Sequence, residues 1–530
     1  MIFVNNGGPG GRIRPAVLCY TVVAAMNMNV IRTRGIMRFR IVFFGCKVNQ
    51  YEAELLRQAI LKHVPGSVDI SGGGDDNGMD EVAGESDNGG KPDLVVVHTC
   101  TVTGESDSKC RRAIRHFARI FPRAMIAVSG CYARRAPELF APLRFPEVGR
   151  VLGSPDAIAD FLAELDGATE NVVECARSAI SETLVAGLQK FPRLSRAVLK
   201  VQEGCTQRCS YCIVPDTRPG LTSRPMEVVV AEAQRLISAG HAELVLTGTH
   251  LGLYGLNRRP DDLATAAFDA ESAAPESDKS LAELVRRLVT MEHEHPYRIR
   301  LSSLEAPELT PQLLDIAAEY PDRFCPHFHL PMQHASDAVL HRMRRRGDSG
   351  RFEELCAQVR QRLPCVVLTT DVMVGFPGET EEDFIRLGDA IERIGFGGVH
   401  IFRYSRREGT PAAALDGQIP GDVKRRRATE LAERVRRIQR KVWRRHAAQY
   451  PQRRVVIENR LPDVPGFAIG TDQFYATCIV PVGPDPLPVW CDVIVSPVLK
   501  ENDGGNEPPQ LVTSATLRKS SPSIPGNNTT

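Results

Sequence analysis

No apolar run in this 530-residue chain approaches the roughly 20 residues a helix needs to cross a bilayer. A helical membrane span is thereby excluded, and no membrane partner is expected. Charge of one sign is lacking too: 66 Lys and Arg stand against 64 Asp and Glu, a net of +2. That balance gives no chain-wide attraction to polyanions, so only the local placement of charge is informative. The 14 cysteines are not crowded into a short chain as in a disulfide-stapled domain. In a long chain, with several at loop positions, they favour metal ligation in a reducing cytoplasm. At this length two to four domains are expected.

Two internal stretches have few large apolar side chains. Residues 66–92 are rich in Gly and Asp, and residues 257–280 in Ala, Asp, Glu, Ser and Pro. Neither buries enough surface to offset its ordering entropy, so both are expected to be mobile surface insertions. Residues 16–26, AVLCYTVVAAM, follow Arg12 and Arg14 and resemble a signal peptide, but no small-residue cleavage site comes after them. Met37 stands directly before the first convincing strand. Residues 1–36 are therefore expected to be a disordered leader or a mis-called start.

What the chain does contain is a dense cysteine loop. In KVQEGCTQRCSYCIVP, residues 200–215, Cys205, Cys209 and Cys212 follow a C-x3-C-x2-C spacing. Thiolates are the soft ligands that iron–sulfur clusters and zinc select. Three rather than four leave one iron of a cubane open to a substrate or cofactor. A zinc knuckle short of its fourth ligand, or three unrelated buried cysteines, remain alternatives on spacing alone. With Tyr211 before the last cysteine and KVQEGC at its entry, the loop resembles that of radical S-adenosylmethionine (SAM) enzymes. The resemblance implies a [4Fe-4S] cluster whose open iron chelates the amino and carboxylate groups of SAM. It also implies electron transfer that cleaves SAM to methionine and a 5′-deoxyadenosyl radical.

Upstream, apolar strands at residues 38–44, 94–97 and 125–128 alternate with helical stretches, the pattern of a parallel sheet. Asn49, with Glu52 three residues on, reads as a capping box for the first helix, and a second helix is expected over 109–120. Cys46, Cys100 and Cys131 each fall just beyond a strand, and loops leaving the carboxyl edge of such a sheet lie side by side. One such cysteine is ordinary packing; three in the same topological place suggest convergence. GCKVNQYE (45–52), HTCTVT (98–103) and SGCYAR (129–134) resemble the methylthiotransferase N-terminal domain. The resemblance implies that these three cysteines hold a second, auxiliary [4Fe-4S] cluster. Cys19, Cys110 and Cys175 match no ligand position and are expected to be structural or free.

From about residue 191 to 413, β/α units repeat, as in a whole or partial barrel with ligands at the carboxyl ends of its strands. Helices are expected at 227–239, 281–292, 335–346, 352–363 and 381–394. LTGTHLGLYG (246–255), LSSLEAPE (301–308), HLPMQHASD (329–337), TTDVMVGFPGETEEDF (369–384) and FRYSRREGTP (402–411) follow successive strands and resemble the radical SAM core of methylthiotransferases. By that resemblance Thr247 and Gly248 meet the SAM amino group. Tyr211, Ser303, Glu305, Gln333 and Asp371 lie on the cofactor side of the cavity. His327, His329 and His334 read as cavity-lining or core histidines, since thiolates already account for iron.

Residues 423–446 carry eleven Lys and Arg against two Glu, with Leu431, Val435, Ile438 and Val442 at helical spacing. A solvated charged face is the plain interpretation. An excess of nine positive charges on one helix in a near-neutral chain favours a polyanion footprint. Short β-like runs at 454–457, 466–470, 473–480 and 492–495 resemble the small β-barrel RNA-binding (TRAM-like) module that ends methylthiotransferases. From residue 499 the polar tail is expected to be disordered.

The expected fold class is α/β: an N-terminal parallel-sheet domain (37–165), a partial (β/α) radical SAM barrel (191–422), a basic helix (423–446) and a C-terminal β-barrel (447–498). The resemblance implies methylthio insertion at an unactivated C–H bond of tRNA. GCKVNQYE is most like the enzymes acting on N6-threonylcarbamoyladenosine at position 37 in the anticodon loop. Isopentenyladenosine and ribosomal-protein methylthiotransferases are the alternatives within the family. A non-catalytic, zinc-bearing RNA-binding protein is the alternative outside it. An electron donor such as flavodoxin or ferredoxin is implied.

Overall fold

A computed structural model describes residues 36–71, 90–140, 144–166, 173–191, 195–258, 279–461, 464–483, 487–500 and 510–518. The expectation for residues 1–36 thus falls almost wholly outside the described residues. The chain forms two compact units, Met1–Ala186 and Gly187–Thr530. Among the described residues no helix is long and apolar enough to cross a membrane.

The first unit is built on β1 (Met37–Phe43), β2 (Ser67–Asp69), β3 (Leu94–Thr99), β4 (Met125–Ser129) and β5 (Val148–Leu152), in the spatial order β2-β1-β3-β4-β5. All four pairings are parallel. The Val-rich β3 and the apolar β4 are buried along their whole length, as central strands covered on both faces must be. Helices α1 (Lys47–His63), α2 (Gly104–Ile120), α3 (Gly130–Arg135), α4 (Pro155–Asp166) and α5 (Val173–Ala186) supply the cover. One core gathers Phe39, Ile41, Leu56, Ile60, Leu94 and Leu162, and the other Val42, Val95, Ile114, Phe117 and Val128. Because α5 packs against α1 and α4, the domain runs to Ala186 rather than to 165.

Three expectations change here. Asn49 is not an N-cap: α1 is capped at Cys46 without a side-chain bond, and Asn49 is buried in its first turn, tied to strand ends. Helix α2 starts at Gly104, not 109, because the Thr103 hydroxyl accepts from the Ser106 N–H at 3.1 Å. Residues 67–69 are no mobile insertion, for they form the edge strand β2 beside β1. Residues 72–89 of that insertion lie outside the described residues.

In the second unit β6 (Arg196–Glu203), β7 (Thr222–Ser223), β8 (Glu243–Gly248) and β9 (Arg298–Leu301) form one sheet, ordered β7-β6-β8-β9. A second holds β10 (His327–His329), β11 (Val367–Val374) and β12 (Gly398–Arg403). Bridges Ile299–Phe324 and Ser303–His329 join them, so six parallel strands make a partial barrel. Its helices are α6 (Val214–Thr217), α7 (Met226–Ser238), α8 (Leu281–Val289), α9 (Pro311–Glu319), α10 (Asp337–Arg342), α11 (Ser349–Arg362) and α12 (Glu381–Ile394). The helix expected over 335–346 shrinks to α10. The ends of the 257–280 insertion also belong to the fold: Asn257 accepts from the Ser223 N–H at 2.8 Å, and Ser280 caps α8. Residues 259–278 lie outside the described residues.

After the barrel, α13 (Gly421–Gln449) leads to β13 (Gln452–Arg460), β14 (Phe467–Thr471), β15 (Thr477–Pro481), β16 (Trp490–Lys500) and β17 (Gln510–Arg518). They close into a barrel ordered β13-β14-β15-β17-β16. The tail is therefore not wholly disordered, and the module does not end at 498. Without β17 both β15 and β16 would be open edges. A buried ion cluster anchors this barrel: Glu243 takes Arg298 and Arg300 at 2.7 Å each, and those arginines reach the carbonyls of Arg454 (2.6 Å) and Asp472 (2.8 Å). Burial alone would raise the Glu243 pKa. The two guanidiniums overcome it and hold the carboxyl below its ordinary range.

Candidate active site: two thiol triads

The radical SAM-like loop leaves β6 through Gly204, at φ +89°, where an added Cβ would stand 1.8 Å from the Gly220 carbonyl oxygen. Only glycine fits there. The Gln202 amide donates to the carbonyls of Glu203 (2.9 Å) and Gly204 (2.8 Å) and accepts from the His250 N–H at 2.8 Å. His250 Nδ1 lies 3.2 Å from Cys205 Sγ, and its Nε2 meets the Glu308 carboxylate. Burial pulls the His250 pKa down, but the bonds to Cys205 and Glu308 win and push it up to about 10.

Cys209 Sγ lies 3.8 Å from Arg345 Nη1, and Arg345 grips Glu305 with both nitrogens, 2.9 Å on the Nη1 side. The Cys212 N–H donates to the Cys209 carbonyl at 3.0 Å, and the Val214 N–H to Cys212 Sγ at 3.4 Å. Burial pushes the Cys212 thiol up to about 12, and the nearby Cys209 and Cys205 add to the rise. Three thiols this close resist ionising together in the absence of a cation. A coordinated metal reverses that logic, since a coordinating thiol is deprotonated outright. The donor set therefore fits a metal cluster held at three points.

Around the loop, Tyr211 is half-buried, its ring edge-on to Phe376 at 6.3 Å, and burial raises its hydroxyl well above the ordinary value. Thr247 and Gly248 end β8, where a Cβ on Gly248 would stand 2.8 Å from Gln202 Oε1. Ser303 bridges to His329 through the backbone. Gln333 sits at φ +65°, uncommon for a side chain of its size, with its N–H on the Asp371 carbonyl at 2.9 Å. Asp371 itself faces His329, 3.1 Å from Nε2. Gln202, His250, Glu308 and Arg345 were missed in the sequence. His250 stands inside LTGTHLGLYG, yet nothing local marks it as the partner of a cysteine 45 residues away.

In the first unit two of the three cysteines, Cys46 and Cys131, again follow glycines. Gly45 is at φ +106°, and its Cβ would stand 2.7 Å from Cys100 Sγ; Gly130 is at φ +84°, and its Cβ would stand 2.4 Å from the Thr99 carbonyl oxygen. Asn49 joins three strand ends. Its amide donates to the carbonyls of Phe44 (2.8 Å) and Thr99 (2.9 Å), and its oxygen accepts from Cys131 Sγ at 3.5 Å. Burial pushes the Cys100 thiol up to about 11, with Cys46 and Cys131 close enough to add to it. Cys46 is exposed while the other two are buried. Cys110 takes the Cys100 N–H on its sulfur at 3.4 Å, a packing role. The topology thus brings Cys46, Cys100 and Cys131 into one neighbourhood at the carboxyl edge of the sheet.

A three-cysteine loop at the head of a partial barrel is the arrangement of a radical SAM enzyme, and residues 199–391 match the Radical SAM superfamily profile. That membership carries a [4Fe-4S] cluster and SAM. Residues 76–153 match the profile of Uncharacterized protein family UPF0004. The chain is 35% identical to the threonylcarbamoyladenosine tRNA methylthiotransferase MtaB of Bacillus subtilis (strain 168) over 393 residues, 73% of this chain and 78% of that one. It is 30% identical to the protein of the same name from Thermotoga maritima, over 82% of this chain and 89% of that one. A tRNA-2-methylthio-N(6)-dimethylallyladenosine synthase of Mycolicibacterium paratuberculosis is 32% identical, over 75% of this chain and 72% of that one. This chain belongs to the radical SAM tRNA methylthiotransferases.

Proposed function

We propose that this protein adds a methylthio group to carbon 2 of N6-threonylcarbamoyladenosine at position 37 of tRNA. The observation that carries this reading is a pair of thiol triads in a chain that matches threonylcarbamoyladenosine methylthiotransferases over most of its length. Cys205, Cys209 and Cys212 hold the [4Fe-4S] cluster of the radical site. Thr247, Gly248, Ser303, Glu305 and Gln333 line the SAM side, with Tyr211 packed behind the loop. Bound there, the cluster and SAM supply one-electron C–H chemistry, suited to a ring carbon between two nitrogens that has no useful acidity. Behind Cys205, the His250–Glu308 pair fixes the sulfur's orientation. Arg345, locked by Glu305, offsets negative charge at Cys209.

Cys46, Cys100 and Cys131 hold a second [4Fe-4S] cluster where the methylthio sulfur is prepared, and Asn49 keeps the three strand ends together. The C-terminal barrel and α13 hold the tRNA, a flavodoxin- or ferredoxin-like donor supplies electrons, and the setting is the cytoplasm. Nucleoside mass spectrometry of tRNA from a deletion strain tests this. The expected result is loss of 2-methylthio-N6-threonylcarbamoyladenosine, with its unthiolated precursor accumulating. Loss of the methylthiolated dimethylallyl nucleoside instead would support the second reading, which the 32%-identical mycobacterial relatives favour.

A further inference from the structure

We propose that His329, Asp371 and His400 form a divalent-cation site, and that the ion's open positions take oxygen atoms of the threonylcarbamoyl group. The second clause rests on the substrate reading above. The three side chains come from neighbouring strands β10, β11 and β12, and their ligand atoms all lie within 4.8 Å of one another. Register explains the meeting. In a parallel pair, opposed residues share a face, and here His329 stands opposite Thr369 and Asp371 opposite His400. On β11, Leu368, Thr370, Val372 and Val374 face the buried side. Thr369 and Asp371 alternate with them toward the other face, where Asp371 is half-buried and His400 exposed.

Two imidazoles and one carboxylate are the donor set that first-row divalent ions accept, with the remaining positions left to substrate or water. The supporting shell is present as well. His329 Nδ1 bonds to Thr369 Oγ1 at 2.9 Å, and the same hydroxyl meets His327 Nε2 at 2.9 Å. The His327 ring in turn stacks on Tyr475 of the C-terminal barrel, centroids 4.5 Å apart. A ligating histidine is ordinarily oriented through its second nitrogen in this way. When Nδ1 donates to Thr369, Nε2 presents a lone pair to the Asp371 oxygen 3.1 Å away. In that tautomer the two lone pairs stand at the spacing of neighbouring ligands on one ion, with His400 within the same 4.8 Å. No Lys or Arg pairs with Asp371 among the described residues.

The chemistry also separates the two candidate substrates. A threonyl carboxylate and hydroxyl can chelate an ion whose other ligands are protein, whereas a dimethylallyl chain offers it no donor. The assignment moves Asp371 from the SAM side of the cavity to the substrate side. Its backbone still borders Gln333.

The test uses the full-length, cluster-loaded enzyme and Mn2+, with the free ion read by electron paramagnetic resonance. One Mn2+ per chain is expected to bind without tRNA. Asp371→Asn and His400→Gln should abolish that binding, and Thr369→Val should weaken it about 10–100-fold, all with wild-type iron content. Adding tRNA that carries threonylcarbamoyladenosine should tighten Mn2+ binding, while dimethylallyl or unmodified tRNA should leave it unchanged. Wild-type binding no stronger than that of Asp371→Asn would overturn the site and leave a plain His–Asp hydrogen bond. Equal Mn2+ affinity with all three tRNAs would overturn the oxygen-ligand clause. Binding without tRNA does not depend on which nucleoside is modified, so failure here is distinct from failure of the nucleoside analysis.

Discussion

Burial decides the protonation of several side chains in the first unit, and Glu54 is the one within reach of a stability measurement. It lies on α1, whose first turn carries Asn49, and its pKa is raised from 4.5 to about 7 by desolvation, against the pull of Arg57 and Gln58. The folded state thus holds this proton more tightly than the unfolded chain does. Between about pH 4.5 and 7 stability should fall as pH rises, and then level off. Glu54→Gln removes the penalty, so it should stabilise the first unit at pH 8 by up to roughly 3 kcal/mol and change little at pH 4. Urea unfolding at the two pH values checks this; equal shifts at both would mean that packing, not ionisation, governs the site. At this same scale the placement of the six cysteines, on one loop and at three strand ends, was legible because spacing and strand-end position are local patterns. Arg345, 136 residues from Cys209, was not, because only folding brings such partners together. Asn49 stands out in the sequence for the wrong reason: a residue type suited to capping spends its amide on the ends of β1 and β3 instead.

The strands and helices with strong periodicity were readable, and the exceptions have physical causes. The first turn of α2, GESDSK, has no apolar face, so its start was visible only through the Thr103 cap. Strand β17, QLVTSATLR, is a short run set within a polar tail, and its pairing partners are β15 and β16. Helix α13 was legible in extent, but a count of its charges overstates what is available to a partner. Arg426 meets Glu381 (2.9 Å), Arg427 meets Glu379 (3.0 Å), and Arg434 meets Asp389 (2.7 Å), so these are largely spent on α12 and its approach. Lys441 lies 3.9 Å from Glu392. The cations left for a polyanion are better sought at Arg437, Arg444 and Arg445, which are exposed. Reversing those three to Glu should lower tRNA affinity and shrink the slope of log K against log salt by roughly 0.7–0.9 for each phosphate no longer neutralised. Reversing Arg426 should leave the slope nearly unchanged. An unchanged slope in the triple variant would make α13 a solvated face and move the RNA-binding surface to the closed barrel.

On the scale of the whole molecule, each compact unit completes its own thiol triad from its own strands: Cys46, Cys100 and Cys131 from the parallel sheet, Cys205, Cys209 and Cys212 from one loop of the partial barrel. Each triad is drawn from a separate stretch of the chain, so the two sites should load and fail independently. Anaerobic reconstitution of the full chain should then give about eight irons, as two four-iron cubanes. Replacing Cys205, Cys209 and Cys212 by Ala should leave about half of that iron and abolish SAM cleavage. Replacing Cys46, Cys100 and Cys131 should also leave about half, yet SAM should still be cleaved to 5′-deoxyadenosine while the methylthio product disappears. Iron analysis and nucleoside chromatography on the same samples read both outcomes. The second variant decides most. If it kept all its iron, the convergence of three strand-end cysteines would be packing alone. If it lost SAM cleavage as well, the two triads would be parts of one site rather than two.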